Sequence, residues 1–209
     1  MTQNEQILAE LQRLYPDAAP ELHFTNPYET LIATMLSAQC TDKRVNMVTE
    51  TLFQQFTCCA DMAALTPEEL EPHIKQCGLY HNKAKNIVAA CRVICEQYGG
   101  EVPGDWDALV KLPGVGRKTA NVVWANAFGG DAIAVDTHVF RVSNRLGLAD
   151  AKDVEKTEQQ LQRAIPKSDW SKAHHWLIFH GRRVCSARAP KCDACTLAGL
   201  CKYHQNGGK

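Results

Sequence analysis

In the stretch Leu112-Pro113-Gly114-Val115-Gly116-Arg117-Lys118-Thr119-Ala120-Asn121, two glycines flank a valine between two segments of helical periodicity. Glycine tolerates backbone angles that other residues avoid, so this turn predicts a tight hairpin. The helix after it leaves its first backbone N–H groups without partners, an arrangement suited to a phosphate. Pro113 stiffens the entry. Arg117 and Lys118 put two cations in the first helical turn, where the helix dipole alone disfavours them, which points to an anion nearby. An amine there, near the positive end of the dipole and partly desolvated, is biased toward its neutral form. Such a lysine can attack an electrophilic carbon and form a Schiff base when that carbon is at aldehyde oxidation level. A structural turn and a surface lysine are the alternatives at this point.

On the N-terminal side of this turn, Asp105 to Lys111 reads as a short helix. Arg117 to Phe128 reads as a helix apolar on nearly every side, and is therefore expected to be buried. Asp136 stands as an N-cap ahead of a helix carrying Val139, Val142 and Leu146 and closed by Gly147. Its carboxylate, eighteen residues beyond Lys118, is a candidate for stabilising positive charge or relaying a proton, with a simple cap as the alternative. Upstream, Ile7, Leu8, Leu11 and Leu14 form a stripe ending before Pro16, and Asn26-Pro27-Tyr28-Glu29 is a helix start followed by Leu31, Ile32, Met35 and Leu36. Val45, Val48, Leu52 and Phe56 continue the period, Thr66-Pro67-Glu68-Glu69 is a capping box, and Ile87 to Tyr98 marks a longer helix ending at Gly99-Gly100. Helices over about 153 to 164 and 169 to 183 complete an all-α pattern without strand or repeat. Gln205 to Lys209 reads as a frayed tail.

The 209 residues, 45% hydrophobic and 22% charged, are those of a globular chain, which excludes disordered and collagen-like classes. No apolar run approaches the roughly 18 residues of a membrane span, and the first residues lack a signal peptide's pattern. An intracellular, cytoplasmic chain is expected. A net charge of zero conceals a division: residues 1 to 110 hold 15 acidic and 7 basic side chains, and residues 111 to 209 hold 8 and 16. The basic half is suited to a polyanion.

Ten cysteines in an intracellular chain point to metal before disulfides. Cys40, Cys58, Cys59, Cys77, Cys91 and Cys95 are dispersed and read as small buried apolar residues. Cys185, Cys192, Cys195 and Cys201 are spaced Cys-x6-Cys-x2-Cys-x5-Cys beside Pro190, Asp193 and Gly199. Four thiolates in an irregular loop suffice for a tetrahedral zinc site or a cubane cluster, and a single close pair flanked by intermediate gaps favours the cluster. His174, His175, His180 and His204 are possible substitute ligands.

Leu112 to Asn121, Val135-Asp136-Thr137-His138-Val139 and the four-cysteine signature occur in one order, and together they resemble the endonuclease III family of iron–sulfur, helix-hairpin-helix DNA glycosylases. Leu36-Ser37-Ala38-Gln39-Cys40-Thr41-Asp42 and Gly78-Leu79-Tyr80 are similar to that family's DNA-probing loops, so the resemblance covers essentially the whole chain. It implies an all-α, two-lobed fold, with a six-helix barrel over residues 20–130 and a cluster lobe made of 1–19 and 131–209. It implies Lys118 as nucleophile and Asp136 as assisting carboxylate. Gly114, Val115, Gly116 and His138 would contact DNA, Gln39 and Leu79 would fill the vacated base position, and Cys185, Cys192, Cys195 and Cys201 would hold a [4Fe-4S] cluster. The implied activity is removal of oxidised pyrimidines from damaged duplex DNA, then strand cleavage on the 3′ side by β-elimination. A monomer away from membranes, bacterial and associated with the nucleoid, is expected. Adenine-specific mismatch glycosylases lack the lysine and usually carry a further C-terminal domain, whereas this sequence has Lys118 and stops at Lys209. The rival readings are a monofunctional mismatch glycosylase, a non-catalytic iron–sulfur or zinc DNA-binding module, and an iron–sulfur redox protein.

Overall fold

A computed structural model describes residues 1–208, all of whose regular structure is helical. The chain divides into two compact units, Pro20–Gly130 and Met1–Ala19 joined by the chain from Asp131 onward.

The N-terminal helix α1 (Gln3–Leu14) belongs to the second unit. Thr2 and Glu5 form a reciprocal capping box at its start, and Ile7, Leu8 and Leu11 are buried beneath it.

The unit over residues 20–130 contains α2 (Pro27–Leu36), α3 (Asp42–Gln55), α4 (Cys59–Ala64), α5 (Pro67–Ile74), α6 (Tyr80–Tyr98), the single-turn α7 (Trp106–Leu109) and α8 (Arg117–Phe128). A 3-10 turn, Lys75–Cys77, links α5 toward α6. Helix α2 starts as its sequence predicts: the Asn26 side chain accepts from the Glu29 N–H at 2.9 Å, with Pro27 in the first turn. Every residue from Leu31 to Leu36 is buried, so α2 is the central helix of this unit, packed against α8. Thr66 and Glu69 close the predicted capping box of α5 from both sides, at 3.3 and 2.8 Å. Helix α4 has no counterpart in the sequence expectation, because six residues show too little periodicity to separate from a loop. It packs against α6 and buries Cys59 and Met62.

Three details differ from expectation. Helix α8 buries only Ala120, Asn121 and Val123; its other apolar side chains are half-buried, since only one face meets the core. Cys59, Cys77 and Cys91 are buried, but Cys40 and Cys95 are only partly so, and Cys58 is exposed at the N-cap of α4. The chain end is not frayed through Gly208, whose N–H donates to the Tyr203 carbonyl at 3.0 Å; Lys209 lies outside the described residues.

The second unit continues with α9 (Thr137–Leu146), α10 (Val154–Ala164), α11 (Trp170–Arg183) and α12 (Lys202–Gln205), with short 3-10 turns at Lys167–Asp169, Cys192–Ala194 and Ala198–Leu200. Helices α1 and α9 both pack on α11. Their core includes Ile7, Leu11, Val139, Val142, Leu161 and Leu177. Residues at the two ends of the chain thus share one apolar interior.

This packing makes two outcomes measurable. Leu11→Ala, at a side chain with no exposed surface, should lower unfolding free energy by about 2 to 5 kcal/mol, read from the urea midpoint. His175 on α11 is buried beside His174, and burial, then the neighbouring ring, hold its pKa down to about 3. The unfolded chain, with histidines near the usual 6.5, therefore binds more protons below that pH, and the contribution to stability present above it is lost as pH falls toward 3. Urea titrations between pH 7 and 5 should show a decline approaching about 1.4 kcal/mol per pH unit for each such histidine. His175→Gln should remove one histidine's share of that slope and leave the share of His180, whose pKa burial lowers to about 4.

Candidate active site and cysteine loop

The predicted hairpin joins α7 to α8 and is pinned from both sides. Leu112 and Val115 are buried in the core of the residue 20–130 unit, so the valine between the two glycines is an anchor. The two glycines do different work. Gly114 has φ 73°, and a Cβ there would lie 2.6 Å from the Asn86 Cβ. Gly116, at φ −85°, is the N-cap of α8, and a Cβ there would meet open space. Its smallness leaves the backbone amides of the helix start accessible. Trp106 donates from Nε1 to Asn121 Oδ1 at 2.7 Å, tying α7 to α8. The Arg117 guanidinium lies 5.1 Å from the Trp106 ring centroid.

Lys118 is exposed in the first turn of α8. The partial desolvation expected of it is therefore not supplied by its surroundings: α8 turns its buried face, Ala120 and Val123, away from this position.

Asp136 caps α9 as the sequence predicts. Its Oδ1 accepts from the backbone N–H groups of His138 and Val139, both at 2.8 Å. That pair of hydrogen bonds fixes the carboxylate's orientation while the residue stays partly exposed. His138, half-buried on the next turn, has Nδ1 3.1 Å from Arg141 Nη2. Because a guanidinium only donates, Nδ1 accepts. Burial lowers the His138 pKa, with the Asp136 charge opposing that shift.

Gln39 and Leu79, the predicted duplex-entering residues, are both exposed and are the non-glycine residues with left-handed backbone angles among those described, at φ 53° and 49°. A groove of about 1020 Å³ in the same unit, bordered by His23, Asp42, Lys43 and Phe53 among others, contains none of the predicted site residues.

The four C-terminal cysteines line one pocket together with Leu146, Val184 and Tyr203. Helix α9 organises this loop through two arginines one turn apart, which sequence reasoning missed. Arg141 donates from Nε to the Cys185 carbonyl at 3.1 Å and from Nη2 to the Gly181 carbonyl at 3.0 Å. Arg145 donates to the Ser186 carbonyl at 2.7 Å and the Ala187 carbonyl at 3.0 Å, approaches Cys185 Sγ at 3.4 Å, and stacks on Tyr203. Their spacing of four on an amphipathic helix was the available signal, but irregular-loop partners cannot be assigned from spacing. From α11, His180 Nε2 lies 3.7 Å from Cys195 Sγ, and its Nδ1 lies 3.0 Å from the Tyr15 hydroxyl. The histidines considered as substitute ligands thus divide: His180 touches a cysteine sulfur, while His174 faces the Ala134 carbonyl at 2.7 Å. Desolvation pushes the Cys192 and Cys195 thiols up, the neighbouring cysteines adding to it. Among the described residues no three His, Cys, Asp or Glu side chains converge to hold one metal ion. Cys185, Cys192, Cys195 and Cys201 around one largely apolar pocket, with Arg145 Nη1 3.4 Å from Cys185 Sγ and His180 Nε2 3.7 Å from Cys195 Sγ, are a donor set that would fit an iron–sulfur cluster.

The asymmetry between the hairpin glycines is measurable by thermal melting. Gly114→Ala combines a left-handed backbone with a close contact and should cost at least about 2 kcal/mol, whereas Gly116→Ala should cost less than about 1 kcal/mol.

Residues 32–167 match the HhH-GPD superfamily of base excision DNA repair proteins. The chain is 53% identical over 210 residues to the endonuclease III of Bacillus subtilis, covering 100% of this chain and 96% of the relative. It is 48% identical over 200 residues to that of Escherichia coli K12, covering 96% and 95%. Among solved structures, a trapped endonuclease III–DNA covalent intermediate and a non-covalent endonuclease III–DNA complex each superpose with a TM-score of 0.92 at 50% identity over 99% of both chains. A thermostable thymine-DNA glycosylase superposes at 0.88 with 25% identity, covering 98% and 97%. Full-length identity near one half, the matched hairpin region and the shared fold converge: the chain belongs to the endonuclease III family of the HhH-GPD superfamily, the base-excision repair DNA glycosylase/AP lyases for oxidised pyrimidines.

Proposed function

We propose that Lys118 and Asp136 carry the glycosylase and lyase chemistry of this chain on damaged duplex DNA. The observation that supports this most directly is the exposed Lys118 amine in the first turn of α8, immediately after a hairpin whose core-anchored backbone leaves the helix N-terminus uncovered. A phosphate seated at the turn Gly114-Val115-Gly116 would be held by the backbone N–H groups of Gly114 and Gly116, the Val115 N–H donating to the Leu112 carbonyl at 3.0 Å and so bracing the turn. The neutral Lys118 amine attacks the sugar C1′ of a flipped nucleotide, the C1′–N bond breaks, and the base leaves with its electron pair and takes up a proton. The amine loses a proton as the sugar ring opens, giving a Schiff base between Nζ and C1′. Abstraction of a C2′ proton then expels the 3′ phosphate, and water hydrolyses the imine to restore the lysine. Asp136, oriented by its two backbone N–H donors, stabilises the positive charge that develops at C1′ and relays protons. The capture of a related endonuclease III as a covalent DNA intermediate supports a nucleophile of this kind.

Gln39 and Leu79 fill the vacated base position, and His138 contacts the DNA from the turn after Asp136. Cys185, Cys192, Cys195 and Cys201 hold a [4Fe-4S] cluster, which supplies a rigid core for the loop rather than a chemical step. Arg188 and Lys191, carried on the same loop, would add positive charge for phosphates once the four cysteines held the group. The excess of 16 basic over 8 acidic residues beyond residue 110 supports a polyanionic partner. Among the described residues no helix is long and apolar enough to cross a membrane.

Borohydride trapping on a duplex with one oxidised pyrimidine tests the assignment. Native protein should crosslink and cleave, whereas Lys118→Gln should do neither yet still bind the duplex. Undiminished crosslinking by Lys118→Gln would remove Lys118 from the nucleophile's role, and loss of DNA binding together with cleavage would count against a chemical one.

A further inference from the structure

Lys83 on α6 is a buried cation that the chemistry above does not use. It is 7% exposed. Its Nζ donates to the Leu36 carbonyl at 2.9 Å and to the Cys77 carbonyl at 2.5 Å. Leu36 is the last residue of α2 and Cys77 the last of the 3-10 turn Lys75–Cys77. Carbonyls at such ends lack partners within their own helix and carry its negative end, so one ammonium closes two segments at once. The Lys83 backbone N–H also donates to the Leu79 carbonyl at 3.1 Å.

Each closed end leads within a few residues to a left-handed backbone angle. Three residues after Leu36 stands Gln39, and two after Cys77 stands Leu79, the non-glycine residues with positive φ among those described. Such an angle costs roughly 1 to 2 kcal/mol at a residue with a Cβ, so each loop tends to relax unless its ends are held. Lys83 holds both, although burial penalises its charge and no carboxylate pairs with it among the described residues. An uncharged Met would fill the same space without that penalty but would donate to neither carbonyl.

We infer that Lys83 is a positioning residue that joins the Gln39 and Leu79 loops into one two-pronged wedge, setting their spacing before duplex arrives. Preorganisation of this kind lowers the entropy lost when the wedge enters the stack. The inference rests on the proposed entry of Gln39 and Leu79 into the duplex.

The test compares native protein, Lys83→Met, Lys83→Arg, Gln39→Ala and Leu79→Ala on a duplex carrying a tetrahydrofuran abasic analogue, with 2-aminopurine opposite it to report unstacking. Affinity for undamaged duplex, absorbance near 400 nm from the cluster and the melting temperature are followed in parallel. Lys83→Met should lower the fluorescence rise by about tenfold, as the loop variants do, with undamaged-duplex affinity and cluster absorbance retained. Lys83→Arg should restore part of it. If Lys83→Met does not fold, Lys83→Gln, with an amide donor of shorter reach, carries the same comparison. A native response from the Lys83 variant while Gln39→Ala and Leu79→Ala lose theirs overturns the role of Lys83 alone. A native response from all three overturns the duplex-entry reading and this inference with it.

Discussion

The hairpin between α7 and α8 has to be immobile and uncovered at once, and much of the residue 20–130 unit serves that constraint. Val115 and Leu112 hold it from below in the core, Asn86 closes against Gly114 from the side, and the Trp106–Asn121 hydrogen bond prevents the two arms from splaying. The N-terminus of α8 stays exposed at Gly116, Arg117 and Lys118. Backbone donors held by a core need no reorganisation when an anion arrives, which is the physical advantage of a hairpin over a cluster of flexible side chains.

The second unit solves a different problem, that of holding an irregular loop without regular secondary structure to satisfy its carbonyls. Arg141 and Arg145 replace the missing ladder with guanidinium donors reaching Gly181, Cys185, Ser186 and Ala187. The same helix begins at Asp136 and carries His138, so α9 joins the capping carboxylate at one end to the cysteine loop along its side. Burial of α1 in this unit explains why the two ends of the chain are needed together: Ile7 and Leu11 complete a core that Val139, Val142 and Leu177 leave open.

Much of the local structure was legible because it rests on short-range rules. Asn26, Thr66 and Asp136 cap their helices as their residue types require, and Gly99, Gly129 and Gly147 end theirs in left-handed turns. The four-cysteine spacing was legible for the same reason, since the cysteines that line one pocket are close in sequence. Helix α4 was not, being too short for a period. A surface position for Lys118 was one of two readings the sequence left open, and the exposure of Cys58 was missed, because apolar composition reports that a segment is packed, not which of its faces is covered.

The amino-acid sequence by itself determined the all-helical class, the helix ends, the hairpin and the cysteine set, because each depends on residues within a few positions of one another. Only the tertiary structure decided the long-range partnerships. Lys83 meets Leu36, 47 residues away, Arg145 meets the loop 40 residues on, and Tyr15 meets His180 across 165 residues. Such contacts exist only after helices pack, since the same polar side chains are equally well solvated in the open chain and nothing in their spacing selects one distant carbonyl over another.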